Sequence, residues 1–269
     1  MAINELAAVD PKAQVADDAE IGPFCSVGPE VAIGAGTVLH ANVSIVGRTT
    51  LGERNIVHPH ATIGSPPQDV SYHDETTAVA IGDDNVIREC VTIHRGTTKE
   101  RGLTRVGNRC YLMACSHVAH DCVLGDDVIF GNNVLIGGHV HVEPRVIVNG
   151  GAAINPFTTI GRLAYVGGLT RIVHDVPPFT IFEGHPSRVR GVNSIGMRRA
   201  GLSDEIIGSV AKAYRRIFRN GQPRNEVLDA MENEDGWVDE VGYLLAFLRK
   251  TAEGRHGRYR ESLRKSPPR

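Results

Sequence analysis

The sequence predicts a mainly β fold: a parallel β-solenoid followed by a small α-helical domain. Two observations carry this. From Val9 to about Val176, aliphatic residues recur at every sixth position. A period of six fits neither the 3.6 of a helix nor the 2 of an alternating strand, but it does fit a short strand that turns a corner every six residues. The second observation is the change of spacing beyond Asp175-Val176-Pro177-Pro178, where the hexad register ends and helical patterns begin.

The elements follow in order. Anchors run from Val9 through Val15, Ile21 and Val27 to Ile63, resume at Ile81, Ile87 and Ile93, and run again from Val106 to Ile172. Four positions after each anchor stands a slim residue, such as Ala13, Cys25, Val31 or Cys122. Three hexads make one triangular coil of about 18 residues, and coils stack at the ~4.8 Å spacing of a sheet. Roughly eight coils give a prism ~40 Å long by the same spacing. Anchors point inward, so the core is a column of aliphatic layers. Glycines directly after anchors (Gly22, Gly34, Gly52) are expected where the backbone bends into positive φ. Cys25, Cys110 and Cys122 fall in the inward fourth slot and read as small core hydrophobes.

Two segments leave the register. One starts at Gly64 and contains Gln68, Asp69, Ser71 and Tyr72; the other runs from Arg95 to Thr104. Loops extruded from a strict solenoid carry function or subunit contacts. Past the prism, Ser203-Asp204-Glu205 opens a helix that ends near Gly221. A second short helix follows Pro223, and a third spans roughly Trp237 to Arg249. The polar, basic tail from Gly254 is expected to fray. The division is a prism over 1–192 and a helical domain over 193–269.

Composition excludes several classes. The net charge of −2 argues against a nucleic-acid partner for the chain as a whole. No stretch approaches the ~18 apolar residues of a membrane span, and Met1-Ala2-Ile3-Asn4-Glu5 lacks the marks of a signal peptide. A soluble, cytoplasmic protein without stable membrane insertion is the expectation. Five cysteines without scaffold spacing do not form a disulfide framework. Gly34-Ala35-Gly36 is a mid-prism turn with no helix behind it, and Asn42-Val43-Ser44 matches a glycosylation sequon by chance.

The chemistry gathers where histidines interrupt the repeat. In Ser116-His117-Val118-Ala119-His120-Asp121-Cys122, the inward slots belong to Val118 and Cys122, so His117, His120 and Asp121 turn away from the core. His139 follows Asp121 by one coil and stacks near the pair. Three readings suit such a patch: solvated surface histidines, a zinc site built from His across a subunit interface, and a general base oriented by its neighbouring carboxylate. The third is preferred, and no metal or other cofactor is assigned.

Read together, Ile93-His94-Arg95-Gly96-Thr97, the His117–Cys122 block, Gly137-Gly138-His139-Val140, Asp175-Val176-Pro177-Pro178 and Gly191-Val192-Asn193 resemble the acyl-carrier-protein-dependent UDP-N-acetylglucosamine O-acyltransferases in order and spacing. The resemblance covers nearly the whole chain. It implies a left-handed β-helix, although connections between parallel strands are ordinarily right-handed. It also implies a homotrimer with sites between prisms, acyl carrier protein as donor, a UDP-sugar as acceptor and the first step of lipid A synthesis. By the same resemblance, His120 is the general base, Asp121 orients it and the Gly138 N–H stabilises the oxyanion. Gln68, Asp69, His117, His139 and Asn155 would contact substrate, with Asn193 and Arg199 near the uridine diphosphate. Gly168 would leave room for a long, 3-hydroxyacyl chain. The basic face formed by Arg198, Arg199, Lys212, Arg215, Arg216 and Arg219 suits an acidic carrier protein.

The chain departs from the family pattern in places. Asn155-Pro156 stands where His-Gln is usual, Ser71 where Lys is usual, Ala200 replaces the second Arg of a pair, and Ile195 replaces an acidic residue. These positions leave two other activities to weigh: transfer to a 3-amino analogue of the UDP-sugar, and a zinc-dependent γ-class carbonic anhydrase-like trimer.

Overall fold

The computed structural model describes residues 2–264. It is a left-handed parallel β-helix capped by helices at its C-terminal end. Strands mostly two residues long assemble into three flat sheets of 11, 9 and 8 strands, each the face of a triangular prism. Anchors stack on anchors: Val118 pairs with Ile136, and Ile136 with Ile154. Ile45, Ile63, Ile93 and Val118 are all fully buried, as are the fourth-slot residues Cys25, Val31, Cys110 and Cys122, with Ala13 in the first coil half-buried, so the core is the aliphatic column the period implies. The two extrusions lie where the register breaks. Ile63 pairs with Ile93, and Ile93 with Val118, 30 and 25 residues apart instead of 18.

One detail of the repeat is corrected. Gly22, Gly34 and Gly52 after their anchors do not supply positive φ; of the glycines directly after an anchor among the described residues, Gly64, where the first extrusion leaves the register, does. The first three allow close approach: a Cβ on Gly34 would stand 2.4 Å from the Gly52 carbonyl oxygen. Positive φ falls three positions after the anchor and is carried by ordinary residues such as Asn42, Cys90, Cys115, Asp121, His139 and Phe157. The tight turn of each coil imposes that conformation, and the ladder between coils offsets its cost. Cys90 and Cys115 sit at such corners and are exposed, unlike the three core cysteines.

Beyond the prism, strand Thr180–Glu183 closes the first sheet and Arg188–Val192 folds back on it antiparallel. Five helices follow: α1 (Ser194–Arg199), α2 (Asp204–Arg219), α3 (Arg224–Glu232), α4 (Asp239–Glu253) and α5 (Tyr259–Ser262). Ser203 caps α2 by accepting from the Ile206 N–H, with Asp204 and Glu205 in the first turn, as the sequence predicts. α2 to α4 bury a second apolar core, in which Leu163 and Phe179 from the prism end meet Met197, Val210, Leu228 and Leu244.

The expectation for the tail fails. Its described residues, through Arg264, do not fray but form a strap laid along the prism. The Asp175 N–H donates to the Gly257 carbonyl, the Asp175 carboxyl accepts from the Tyr259 N–H (2.9 Å), and Arg258 donates to the Val173 carbonyl (2.7 Å). These side-chain anchors have no hydrophobic period, which is why the strap is invisible to spacing arguments.

Candidate active site

The corner after the second sheet carries the chemistry. There Asp121, His139 and Phe157 stack on successive coils with φ of 59°, 64° and 64°, tied by the His139 N–H to the His120 carbonyl and the Phe157 N–H to the Gly138 carbonyl. His120 Nδ1 lies 2.8 Å from Asp121 Oδ2. An ionised carboxylate only accepts, so Nδ1 carries the proton and Nε2 is left with a free lone pair. Asp121 is turned out of the prism core, as expected, yet only 1% exposed, because the Arg95–Thr104 extrusion folds over it. The Thr97 N–H and hydroxyl donate to its two oxygens at 2.9 and 2.6 Å, and its own N–H donates to the Thr104 hydroxyl. These two donors and His120 fix the carboxylate in place.

Gly138 sits directly beneath the base. A Cβ there would lie 2.4 Å from His120 Cε1 and 2.6 Å from Nε2, so only glycine lets the ring rest on this backbone. The Gly138 N–H finds no acceptor among the described residues, as an oxyanion donor should not. His139 meets the His120 ring edge-on at 5.0 Å, and Phe157 stacks flat on His139 at 4.3 Å. Together they wall a cleft of about 1050 Å³.

Asp69, His120, Gly138 and His139 line this cleft as the sequence predicts. Ser71 lines it too, and the Lys99 ammonium reaches Asp69 from the second extrusion, so a cation still stands beside the position where the family pattern has Lys. Other expected substrate contacts are not brought there within one chain. Gln68 is exposed outside the cleft wall. His117 lies on the outer face of the second sheet, its Nδ1 2.7 Å from the Thr92 hydroxyl and its ring edge-on to His94. Asn155 is replaced at the cleft by its neighbours Pro156 and Phe157. Asn193 is committed to structure: its side chain caps α1 by accepting from the Gly196 N–H, and donates to the Leu163 carbonyl at 2.9 Å. Arg199 and Gly168 are exposed elsewhere. On the basic face of the helices, Arg198 and Arg216 are paired with Asp204 and Glu234, whereas Arg199 and Arg215 form no ion pair among the described residues.

Several residues were missed. Phe157 was findable, since it follows His139 by the same 18-residue step that places His139 over Asp121. Thr97 and Glu100 lie in an extrusion whose inward reach no period reveals. Arg258, Arg260, Leu263 and Arg264 come from the strap. With Lys99 and Arg101 they give the cleft five cationic side chains against the acids Asp69, Glu100 and Glu261, a balance suited to an anionic ligand.

A metal reading is weaker than a base reading. Ligand atoms of His120, Asp121 and His139 approach within 4.8 Å of one another. The Asp121 oxygens, however, already accept from Thr97 twice and from His120, and the His120 nitrogen that faces them is the protonated one. Burial also marks His94, 6% exposed and pushed down to about 4 by burial and then by the charges of His117 and His120. A histidine depressed in the fold contributes stability above its unfolded value near 6.5 and loses it as pH falls toward 4. The parent chain should therefore lose up to about 3 kcal/mol at this site over that window. Thermal melts of the parent and His94→Leu between pH 7 and 4.5 check this: the parent should fall more steeply, and parallel curves would remove His94 as the cause.

Comparisons with known proteins identify the family. Residues 175–257 match the family model described as UDP N-acetylglucosamine O-acyltransferase, domain 2, and residues 103–138 match the bacterial transferase hexapeptide model. The chain is 46% identical to the acyl-[acyl-carrier-protein]–UDP-N-acetylglucosamine O-acyltransferase of Anaeromyxobacter sp. (strain Fw109-5), covering 94% of this chain and 99% of that protein. It is 42% identical to the enzyme of the same name from Syntrophobacter fumaroxidans, with the same coverage. Among solved structures, LpxA from Acinetobacter baumannii superposes with a TM-score of 0.86 at 40% identity, covering 90% of this chain and 95% of that one. The Moraxella catarrhalis UDP-N-acetylglucosamine O-acyltransferase gives 0.87 at 41% identity, covering 91% and 96%.

Proposed function

Because this chain belongs to the acyl-[acyl-carrier-protein]–UDP-N-acetylglucosamine O-acyltransferase family, we propose that it moves a 3-hydroxyacyl group from the carrier-protein thioester to the 3-hydroxyl of UDP-N-acetylglucosamine, the opening step of lipid A synthesis. The observation that carries this is the His120 ring, fixed at Nδ1 by Asp121, open at Nε2 and lying on Gly138. In the reaction, Nε2 takes the proton of the sugar hydroxyl as its oxygen attacks the thioester carbon. The oxyanion of the tetrahedral intermediate accepts from the Gly138 N–H. Collapse breaks the C–S bond, and the imidazolium returns its proton to the departing thiolate, leaving an ester and a free carrier thiol. Asp121 stabilises the imidazolium without taking its proton.

The cleft is open on one side, and Asn155, Asn193 and Arg199 stand away from it. A homotrimer accounts for both, with a neighbouring prism closing the cleft and bringing its own copies of these residues. Arg199 and Arg215 on the helical domain, without ion pairs among the described residues, suit an acidic carrier protein at the rim. No helix among the described residues is long and apolar enough to cross a membrane, in keeping with a cytoplasmic enzyme working on soluble substrates.

The test is transfer from 3-hydroxyacyl carrier protein to matched acceptors. UDP-N-acetylglucosamine should give an alkali-labile ester, and the 3-amino analogue should be the poorer acceptor. Amide formation on the analogue with no ester from UDP-N-acetylglucosamine would overturn the acceptor assignment.

A further inference from the structure

The strap does more than close the chain. Arg260 donates from Nε to the His139 carbonyl (3.2 Å) and from Nη2 to both oxygens of Glu100 (2.7 and 3.0 Å). Glu100 Oε1 in turn stands 3.6 Å from His139 Nδ1, a buried nitrogen with no hydrogen-bond partner among the described residues. That distance exceeds a hydrogen bond, so the contact is electrostatic. On its other side His139 Nε2 lies 3.8 Å from Asp121, and the ring leans edge-on against His120. The guanidinium is itself mostly enclosed, its side chain 15% exposed, and this enclosure is costly unless the pairing matters. The strap could be held in place by Asp175 and Arg258 alone; Arg260 reaches past that anchorage into the site.

We propose that Arg260 is a positioning residue for acyl transfer: from the C-terminal strap it fixes Glu100 and the His139 backbone, and through the His139 ring it keeps His120 seated over Gly138. The inference rests on the acyl-transfer reading given above. It makes α5 part of the apparatus that seats the base, with Arg260 acting on the reaction through Glu100 and His139.

The variants Arg260→Ala, Arg260→Lys, Glu100→Gln and the Arg260→Ala/Glu100→Gln double are made in the full chain, and kcat and KM are measured with 3-hydroxyacyl carrier protein and UDP-N-acetylglucosamine. Arg260→Ala should lower kcat between about 10- and 100-fold, as small misplacements of a reacting group do, with KM changed less than about threefold. Lysine should restore only part, because it cannot reproduce the two-pronged pairing. The double variant should be little worse than Arg260→Ala alone, since the two residues act as one unit. An unchanged kcat, a rise confined to KM, or strictly additive losses would overturn the proposal. A crystal structure of Arg260→Ala decides independently of turnover: displaced His139 and His120 rings support it, and rings in place refute it. An inactive parent with displaced rings in the variant would instead count against the acyl-transfer reading.

Discussion

His120→Ala is expected to lower kcat by roughly 10²–10⁴-fold, the range a positioned general base supplies, while the chain remains folded. The separation of activity from stability follows from where the ring sits. His120 is a cleft-wall residue at a corner, and the inward residues on either side of it, the anchor Val118 and the fourth-slot Cys122, carry the packing. Truncating it leaves the aliphatic column whole. Among the described residues its side chain hydrogen-bonds only to Asp121, whose carboxylate keeps both bonds from Thr97. Initial rates beside a thermal melt check the prediction, and an activity within a few-fold of the parent would exclude His120 as the base. Asp121→Asn should cost less but still heavily. An amide can present a donor to Nδ1, flip the ring's tautomer and leave Nε2 protonated, as the corresponding change does to a hydrolase triad.

The repeat made the prism, its core cysteines and the stacking of His139 near Asp121 legible, because a strict period is a ruler for every residue that obeys it. The same ruler extends to Phe157 one coil on. Residues that leave the period are silent to it. Thr97 encloses Asp121 from an extrusion, and Arg260 reaches His139 from a strap held by Asp175, contacts set by loop closure and single hydrogen bonds. The helix start at Ser203 was readable from its cap and acidic first turn, whereas α1 and α5, six and four residues long, are too short for a periodic signal. For the positions of Asn155, Asn193 and Arg199 away from the cleft, the trimer proposed above gives a different reason: a site shared between subunits is not completed by one chain, and a linear sequence does not say which copy a residue serves.

Gly138→Ala is the second large effect, and it separates ring placement from backbone chemistry. Alanine keeps the N–H, so an oxyanion donor is still present. The added methyl carbon, however, would fall 2.4 Å from His120 Cε1, far inside van der Waals contact. Backbone at this corner is clamped on both sides, by the Gly137 N–H to Ile154 and the Phe157 N–H to the Gly138 carbonyl, so the ring must move instead. Swinging the ring breaks its 2.8 Å bond to Asp121 or lifts Nε2 off the donor, and base and oxyanion hole no longer address one carbonyl. Loss of roughly 10²-fold in kcat is expected, with a melting temperature close to the parent's because the ring is at the cleft and not in the core. The decisive comparison is with the double variant His120→Ala/Gly138→Ala. The three atoms nearest the methyl all belong to the ring, so once the ring is gone the double should be no slower than His120→Ala alone, a non-additivity of the full single-variant effect. If Gly138→Ala instead slows the His120→Ala background further by the same factor, the glycine acts on the backbone donor itself and not by seating the base.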